Sequence, residues 1–186
     1  YIFCSATGST QIMPDVGTAM YTLNADGSIL DVHIGFLSTL WSVNFKYLPN
    51  APETHRYSVR MDSGILYENV SESDTNYVIR YYSDIKNGKD FVTESNGLEL
   101  LTRTFGINTT VVDENYYPLT RFMGIEDGTK RMTVMIDRAQ GGTSPAEGVV
   151  EIMVNRRSTQ DDWKGANEGT YEEFPISVLH YVVFDV

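Results

Sequence analysis

In YSVRMD, residues 57–62, apolar and polar side chains alternate along the chain. Because successive side chains of a β-strand point to opposite faces, this period of two predicts a strand with one buried and one solvent-facing side. The same alternation recurs over 132–137, 150–154 and 178–186. The run 77–82 is aromatic and β-branched, which also favours a half-buried strand. These runs predict a protein built mainly of β-strands.

Glycine-bearing dipeptides separate the runs, and Asn-Gly and Asp-Gly readily adopt the positive φ of tight hairpins. No stretch of about 12 residues keeps an amphipathic helical pattern without a breaker. We therefore expect an all-β, antiparallel β-sandwich. Residues 140–147 and 163–173 are predicted to be irregular loops. The dipeptides are Asp26-Gly27, Asn87-Gly88, Asn96-Gly97, Asp127-Gly128 and Gly141-Gly142.

The chain has 186 residues and a formal net charge of −11. No repeat or linker divides it, so residues 1–186 are predicted to form a single domain. Nucleic acids and anionic membranes both attract basic surfaces, so the acidic balance argues against either as a partner. No apolar run reaches the length of about 20 residues that spans a bilayer.

Cysteine content and short motifs bear on the compartment. The single cysteine, Cys4, has no partner for an internal disulfide. Two Asn-x-Ser/Thr triplets, at Asn69 and Asn108, are candidate glycosylation sites and favour the secretory route. The chain opens YIFCSATG, with neither methionine nor a charged leader, so we expect a piece of a longer polypeptide.

Metal-binding and nucleophilic patterns are weak in this sequence. Its three histidines, His33, His55 and His180, are scattered, and none has a second His or Cys at ligand spacing. Asp31 and His33 share a face if their segment is a strand, but a solvent-facing pair is the favoured interpretation. No serine or cysteine lies in a hydrolase-type elbow.

The segment NRRSTQDDWKG, residues 155–165, concentrates the charged side chains. Asp161 and Asp162 are adjacent, so on an extended segment they point to opposite faces and cannot flank one glycosidic bond. A capped turn after a strand is the favoured interpretation of this pair. Arg156 and Arg138 lie near predicted strand ends, where an arginine is either solvated or paired with a neighbouring carboxylate.

Trp163 and Lys164 follow the aspartates in a polar loop. An exposed tryptophan face can hold a sugar ring by apolar contact, and a tryptophan folded back onto its own domain is equally compatible with the sequence. Both interpretations stay open at this stage.

Several motifs in a fixed order resemble the C-terminal β-domain of the class II α-mannosidases, glycoside hydrolase family 38. The likeness is specific from residue 94 to residue 165 and weak from residue 4 to residue 93. The family motifs resemble A-Y-x-F, D-S-N-G-x-E, N-Y-Y-P, D-R-S-Q-G-G-S-S, L-E-I-M, R-R and D-D-x-R-G. The corresponding stretches here are 1–3 (YIF), 94–99 (ESNGLE), 115–118 (NYYP), 137–144 (DRAQGGTS), 151–153 (EIM), 156–157 (RR) and 161–165 (DDWKG).

The resemblance implies one part of a multi-domain enzyme. Family members hydrolyse terminal α-mannosides with retention, and an N-terminal catalytic domain supplies the zinc site, the nucleophile and the acid/base. None of those groups has a counterpart in this sequence, so the chain alone is expected to be inactive. The implied fold resembles the galactose-mutarotase supersandwich. The implied partners are the catalytic domain and mannose-containing glycans, with zinc bound in the catalytic domain.

The resemblance also implies roles for individual residues. Tyr1 matches the family tyrosine near the bound sugar, and Lys164 stands where the family carries arginine. Lysine keeps the charge but lacks the planar bidentate fork of arginine. The remaining matched side chains are expected to shape the loop or contact the catalytic domain, and they are Arg138, Arg156, Asp161, Asp162 and Trp163.

Two other functions compete with this one. A free-standing carbohydrate-binding module would use Trp163 and nearby tyrosines as its platform. A purely structural sandwich would only support the rest of the chain, through a large apolar face. The expected compartment is the secretory pathway, as a lysosomal or vesicular lumen.

Overall fold

A computed structural model describes residues 75–158 and 177–185 together with positions 165 and 169. Of the earlier part of the chain it describes the backbone of four strands, residues 19–23, 29–35, 40–44 and 54–62. Statements below refer to these residues.

Thirteen strands and one 3₁₀ helix make up the described structure. Eight strands form the larger sheet in the order β1-β2-β4-β13-β10-β9-β6-β7, and five form the smaller sheet in the order β3-β5-β12-β11-β8. All neighbours are antiparallel except β2 with β4 and β3 with β5, which are parallel. The bounds are β1 Ala19–Leu23, β2 Ile29–Gly35, β3 Leu40–Asn44, β4 Thr54–Asp62, β5 Thr75–Tyr82, β6 Asp90–Ser95, β7 Glu99–Thr104, η1 Asp113–Asn115, β8 Tyr117–Leu119, β9 Phe122–Glu126, β10 Arg131–Ile136, β11 Gln140–Thr143, β12 Val149–Arg157 and β13 Ser177–Asp185.

The core lies between the two sheets. On β13 every second side chain from Val178 to Phe184 is buried, and the intervening ones are more exposed. On β5 of the facing sheet, Tyr77, Ile79 and Tyr81 are buried in the same way and belong to the same apolar cluster. The all-β sandwich expected from the period of two is therefore confirmed, with two parallel pairs that the pattern does not specify.

Strand direction divides the loops between two ends of the sandwich. The first, which we call the Arg138 end, holds the turns at 96–98, 120–121 and 137–139, the end of β12 and the start of β13. The second, the Asn87 end, holds the connections at 83–89, 105–116, 127–130 and 144–148.

The prediction of an irregular loop over 140–147 is wrong for its first half. Residues 140–143 form β11, which pairs with β8 and β12. Packing accounts for one of the two glycines in this strand, Gly142. A Cβ there would lie 2.6 Å from both Leu119 Cδ1 and Met123 Sδ, so a larger residue would have to displace these two core side chains.

The Asn-Gly and Asp-Gly predictions have different outcomes. Asn96 and Gly97 have positive φ in the β6–β7 hairpin, as predicted, and the 127–130 turn joins β9 to β10. Asn87-Gly88 instead lies on the crossing from β5 in one sheet to β6 in the other. The dipeptide at Asp26-Gly27 lies outside the described residues.

Candidate functional site

The predicted site residues divide sharply by position. Tyr1, Asn69 and the run 161–164, which includes Asp161, Asp162, Trp163 and Lys164, lie outside the described residues. Arg138, Arg156 and Asn108 are described. The first two lie at the Arg138 end, whereas Asn108 lies at the Asn87 end.

Arg138 joins a turn to the start of β13. Its Nη2 donates to the carbonyl oxygen of Ser177 at 2.5 Å and lies 3.4 Å from a carboxylate oxygen of Asp137. Ser177 is the first residue of β13. The guanidinium therefore fixes the point where the chain returns from 159–176, the segment that carries the charged motif.

Arg156 lies at the point where the chain enters the same segment. It is half-buried near the end of β12, opposite Asn76 of β5. The two arginines thus bracket the entry to 159–176 and the exit from it. β1 also begins at this end. Its first residue, Ala19, pairs with Ile34 near the end of β2, and β2 ends beside the end of β4.

A buried polar chain lies between the sheets beneath Arg138. Tyr81 Oη and His180 Nδ1 are 2.7 Å apart, and His180 Nε2 and Gln140 Oε1 are 2.8 Å apart. Because an amide oxygen only accepts, Nε2 of His180 carries the hydrogen and Nδ1 accepts from the tyrosine hydroxyl. Burial lowers the pKa of His180 to about 3, an effect that Asp137 opposes and Arg138 reinforces. The imidazole is therefore neutral at physiological pH.

Glu94 organises the turns beside Arg138. Its buried carboxylate accepts backbone N–H groups from Gly97 at 2.5 Å, Thr120 at 2.9 Å and Arg121 at 2.6 Å, and also the hydroxyl of Thr120. Burial opposes ionisation, yet the hydrogen bonds outweigh it and lower the pKa of Glu94. The carboxylate is saturated by donors and holds the β6–β7 turn against the β8–β9 turn.

A second buried carboxylate lies on the outer face of the smaller sheet. Glu151 accepts hydrogen bonds from the Arg80 guanidinium and from the Tyr116 hydroxyl. Burial and then the Glu151 charge raise the pKa of Tyr116, so the phenol stays protonated. Burial lowers the pKa of Arg80, but the Glu151 charge and hydrogen bond outweigh it and leave the pKa raised. Residue-by-residue reasoning missed this cluster, although Glu151 and Tyr116 both lie in motifs that carry the resemblance.

The outer face of the larger sheet is partly apolar. Met135 of β10 lies between Phe122 of β9 and Tyr181 of β13 in the register of the sheet. Tyr181 is 48% exposed and Leu100 of β7 is 66% exposed. Beside them lies a groove of about 290 Å³. Its lining includes Val92, Leu100, Phe122, Gly124 and Thr133.

The described residues contain no assembled catalytic centre. Within them, no three His, Cys, Asp or Glu side chains are grouped closely enough to hold a metal ion. Glu94 and Glu151 are both occupied by donors from their own domain. In the same ranges, no helix is long and apolar enough to cross a bilayer.

Comparison with known proteins assigns this arrangement to a family. The sequence model of the glycosyl hydrolases family 38 C-terminal domain matches residues 22–164, which is most of the chain. The chain belongs to glycosyl hydrolase family 38. Glu94, Asn115 and Glu151 lie within the matched range, and their described contacts hold turns and strands together.

Named relatives in this family are α-mannosidases. The chain is 38% identical over 102 residues to the lysosomal alpha-mannosidase of Cavia porcellus, covering 51% of this chain and 10% of that protein. It is 30% identical over 114 residues to alpha-mannosidase 2 of Spodoptera frugiperda, covering 60% of this chain and 10% of that protein. The corresponding match to the lysosomal alpha-mannosidase of Homo sapiens is 38% over 102 residues, covering 51% of this chain and 10% of that protein. This family 38 chain thus aligns with about a tenth of the length of each relative.

Proposed function

We propose that this chain is the C-terminal β-domain of an α-mannosidase that hydrolyses terminal α-mannosides of glycans with retention. In this proposal residues 1–186 form one domain that completes the active-site rim and the interface with the catalytic domain. The observation that carries the proposal is the position of Arg138 and Arg156. Arg138 binds the first residue of β13, and Arg156 lies near the end of β12, so the two flank the segment in which the family 38 motif D-D-x-R-G occurs, here with Lys164.

The chemical step is assigned to the catalytic domain of the same polypeptide. Retaining hydrolysis needs two carboxyl groups about 5 Å apart, one as nucleophile and one as acid/base. Glu94 and Glu151 cannot serve, because backbone donors occupy the first and an arginine and a tyrosine occupy the second. The zinc ion is likewise proposed for the catalytic domain, and we assign no metal ligand among the described residues.

Rim roles are proposed for Tyr1 and Lys164. A lysine ammonium offers three rotatable donors, so Lys164 can hydrogen-bond a substrate hydroxyl or a carboxylate of the catalytic domain. It cannot reproduce the two parallel bonds of an arginine fork. We propose that Asp161, Asp162 and Trp163 shape the loop that presents this lysine.

The apolar outer face of the larger sheet supports an interdomain interface. Leu100, Met135 and Tyr181 are all more than a third exposed and lie on one side of the sheet. Apolar surface of this kind commonly marks an interaction site in a soluble protein. We propose that another domain of the longer polypeptide covers it.

The proposed compartment is the secretory pathway, ending in a lysosomal or vesicular lumen. Two of the relatives named above carry "lysosomal" in their names, and the sequence contains two Asn-x-Ser/Thr triplets. Both observations favour a luminal protein.

The decisive experiment compares the 186-residue chain with the longer polypeptide that contains it. Hydrolysis of an aryl α-mannoside is measured for each, with and without added zinc. We expect turnover only by the longer polypeptide, because the proposal assigns the carboxylate pair to the catalytic domain and donors of this chain already occupy Glu94 and Glu151. Turnover by the purified chain, or none by the longer polypeptide with any α-mannoside, would contradict the proposal.

A substitution at Lys164 tests the rim role. In the longer polypeptide, Lys164→Ala is expected to lower kcat/KM about tenfold or more, as loss of one charged hydrogen bond would, with little change in Tm. Lys86→Ala is the matched control, because Lys86 is an exposed lysine at the Asn87 end. Equal losses of activity and Tm in Lys164→Ala would instead indicate a purely structural loop.

A further inference from the structure

The loop at 105–116 is closed around one buried side chain. Asn115 is 2% exposed, and its Oδ1 accepts the N–H of Gly106 at 2.7 Å. Its Nδ2 donates to the carbonyl oxygens of Thr109 at 3.0 Å and Val111 at 2.7 Å. A single amide therefore ties the start, middle and end of the loop together, and the tip is held in a defined conformation.

The tip of this loop exposes two apolar side chains. Ile107 is 68% exposed and Val111 is 48% exposed. Between them lies Asn108-Thr109-Thr110, in which Asn108 and Thr110 are exposed. Nothing in the described part of the chain covers Ile107, although the loop around it is ordered by Asn115. The apolar atoms and the Asn-x-Thr triplet thus share one small surface.

We propose that Asn108 carries an Asn-linked glycan whose first N-acetylglucosamine covers Ile107 and Val111. In the transfer, Nδ2 of Asn108 forms a bond to C1 of the sugar of a lipid-linked oligosaccharide diphosphate. The bond from C1 to the diphosphate oxygen breaks, the lipid diphosphate leaves, and the amide nitrogen gives up one proton. The Thr110 hydroxyl, two residues after Asn108, is the group of the triplet that the transferring enzyme recognises.

Chemistry and position both fit this occupant. A pyranose ring has an apolar C–H face that can lie against an exposed aliphatic side chain, while its hydroxyls remain in water. The amide of Asn108 makes no hydrogen bond to the described residues that glycosylation would break. The loop lies at the Asn87 end, so the glycan projects away from Arg138 and from the proposed rim.

This inference rests on one part of the proposed function, namely that the protein passes through the secretory pathway. The test supplies that route with a cleavable secretion leader in a glycosylating eukaryotic host, and it does not measure mannosidase activity. Peptide mass spectrometry, before and after digestion with a peptide N-glycosidase, measures occupancy at Asn108. We expect an occupied site, with loss of the glycan in Asn108→Gln and in Thr110→Ala and its retention in Thr110→Ser.

A second measurement covers the case in which a variant fails to fold. The glycan is removed enzymatically from the folded protein, and binding of a fluorescent apolar dye is compared before and after. We expect dye fluorescence to rise, and not to rise in the double variant Ile107→Ser/Val111→Ser. An unmodified Asn108 in secreted protein, while a co-expressed reference glycoprotein is modified, would overturn the proposal. So would a glycan whose removal leaves dye binding unchanged.

Discussion

His180 is a fully buried imidazole held between a tyrosine hydroxyl and a glutamine amide. Its ring nitrogens lie 2.7 Å from Tyr81 Oη and 2.8 Å from Gln140 Oε1. Because burial lowers its pKa to about 3, the folded protein resists protonation at a position where the unfolded chain accepts a proton near pH 6.5. Between these two values the unfolded state binds more protons than the folded state.

The free energy of unfolding should therefore fall as pH falls below about 6.5. His180 contributes up to about 1.4 kcal/mol per pH unit, until the pH approaches its folded pKa. We expect His180→Gln to be less stable at neutral pH by about 1–3 kcal/mol, yet to lose less stability on acidification. Urea unfolding between about pH 7.5 and pH 5 measures both effects, since exposed carboxylates remain ionised there.

Tyr81→Phe is the control for this prediction. It removes one hydrogen bond to the ring and leaves the titrating imidazole in place, so the acid dependence should persist. If the free energy of unfolding has the same pH dependence in the unsubstituted protein and in His180→Gln, His180 does not control acid stability.

The sequence could not pair these three side chains. Tyr81 lies 99 residues from His180, and Gln140 lies 40 residues from it. Alternation predicts that a residue on β13 faces inward, but it contains no information about which side chain on the opposite sheet meets it. His180 therefore looked like one of three scattered histidines.

At the scale of elements, one glycine fixes how β12 begins. Gly148 has φ +72, and a Cβ there would lie 2.3 Å from the carbonyl oxygen of Ser83. The backbone N–H of Ser83 also donates to the carbonyl of Gly148 at 2.8 Å. The connection 144–148 can therefore approach the end of β5 only without a side chain at this position.

We expect Gly148→Ala to lower the free energy of unfolding by about 3 kcal/mol or more, because backbone must move. Gly88→Ala is the matched control: φ is +62, at the same end, and no atom lies within 4 Å of its Cβ. Its cost should be about 1–2 kcal/mol, from positive φ alone. Chemical denaturation of both variants gives the difference, and equal costs would show that the close contact to Ser83 is not decisive.

Elements were predictable where the side-chain period is regular. Strands are present at each of the predicted ranges, with slightly different bounds. Those ranges are 57–62, 77–82, 132–137, 150–154 and 178–186. β11 was missed because it has four residues, two of them glycine, and so carries no alternation. The parallel pairing of β2 with β4 was not predictable, because alternation fixes faces and does not fix the direction of a neighbour.

At the scale of the whole molecule, the proposal that another domain covers the apolar outer face of the larger sheet can be tested by comparing the chain with the proposed longer polypeptide. In the chain alone, Leu100→Asn should change the free energy of unfolding by less than about 0.5 kcal/mol, since Leu100 is mostly exposed. In the longer polypeptide the same change should cost about 1.5–3 kcal/mol, the value of a buried leucine.

Ile107→Asn is the matched control, because Ile107 is an equally exposed apolar residue away from this face, and its effect should be the same in both proteins. Thermal unfolding of the four variant proteins measures the comparison. A small effect of Leu100→Asn in both would remove this face as the interdomain surface.

The candidate site was predictable only as a set of motif positions. The D-R-A-Q-G-G-T-S and R-R motifs located two arginines, and the fold brings both to the same end of the sandwich. Their common position follows from strand order, which places β13 beside β10 and β12 beside β11. Local sequence cannot supply that order, because it depends on pairing between residues far apart in the chain.

The strand order has a consequence for synthesis on the ribosome. β13 is the last described strand, yet it lies inside the larger sheet, where it joins β4 to β10. Until Ser177–Asp185 emerges from the exit tunnel, β1, β2 and β4 cannot pair with the rest of the larger sheet, which consists of β10, β9, β6 and β7. Nascent chains that stop before this strand should expose two open sheet edges, and chaperones should recognise them until β13 is added.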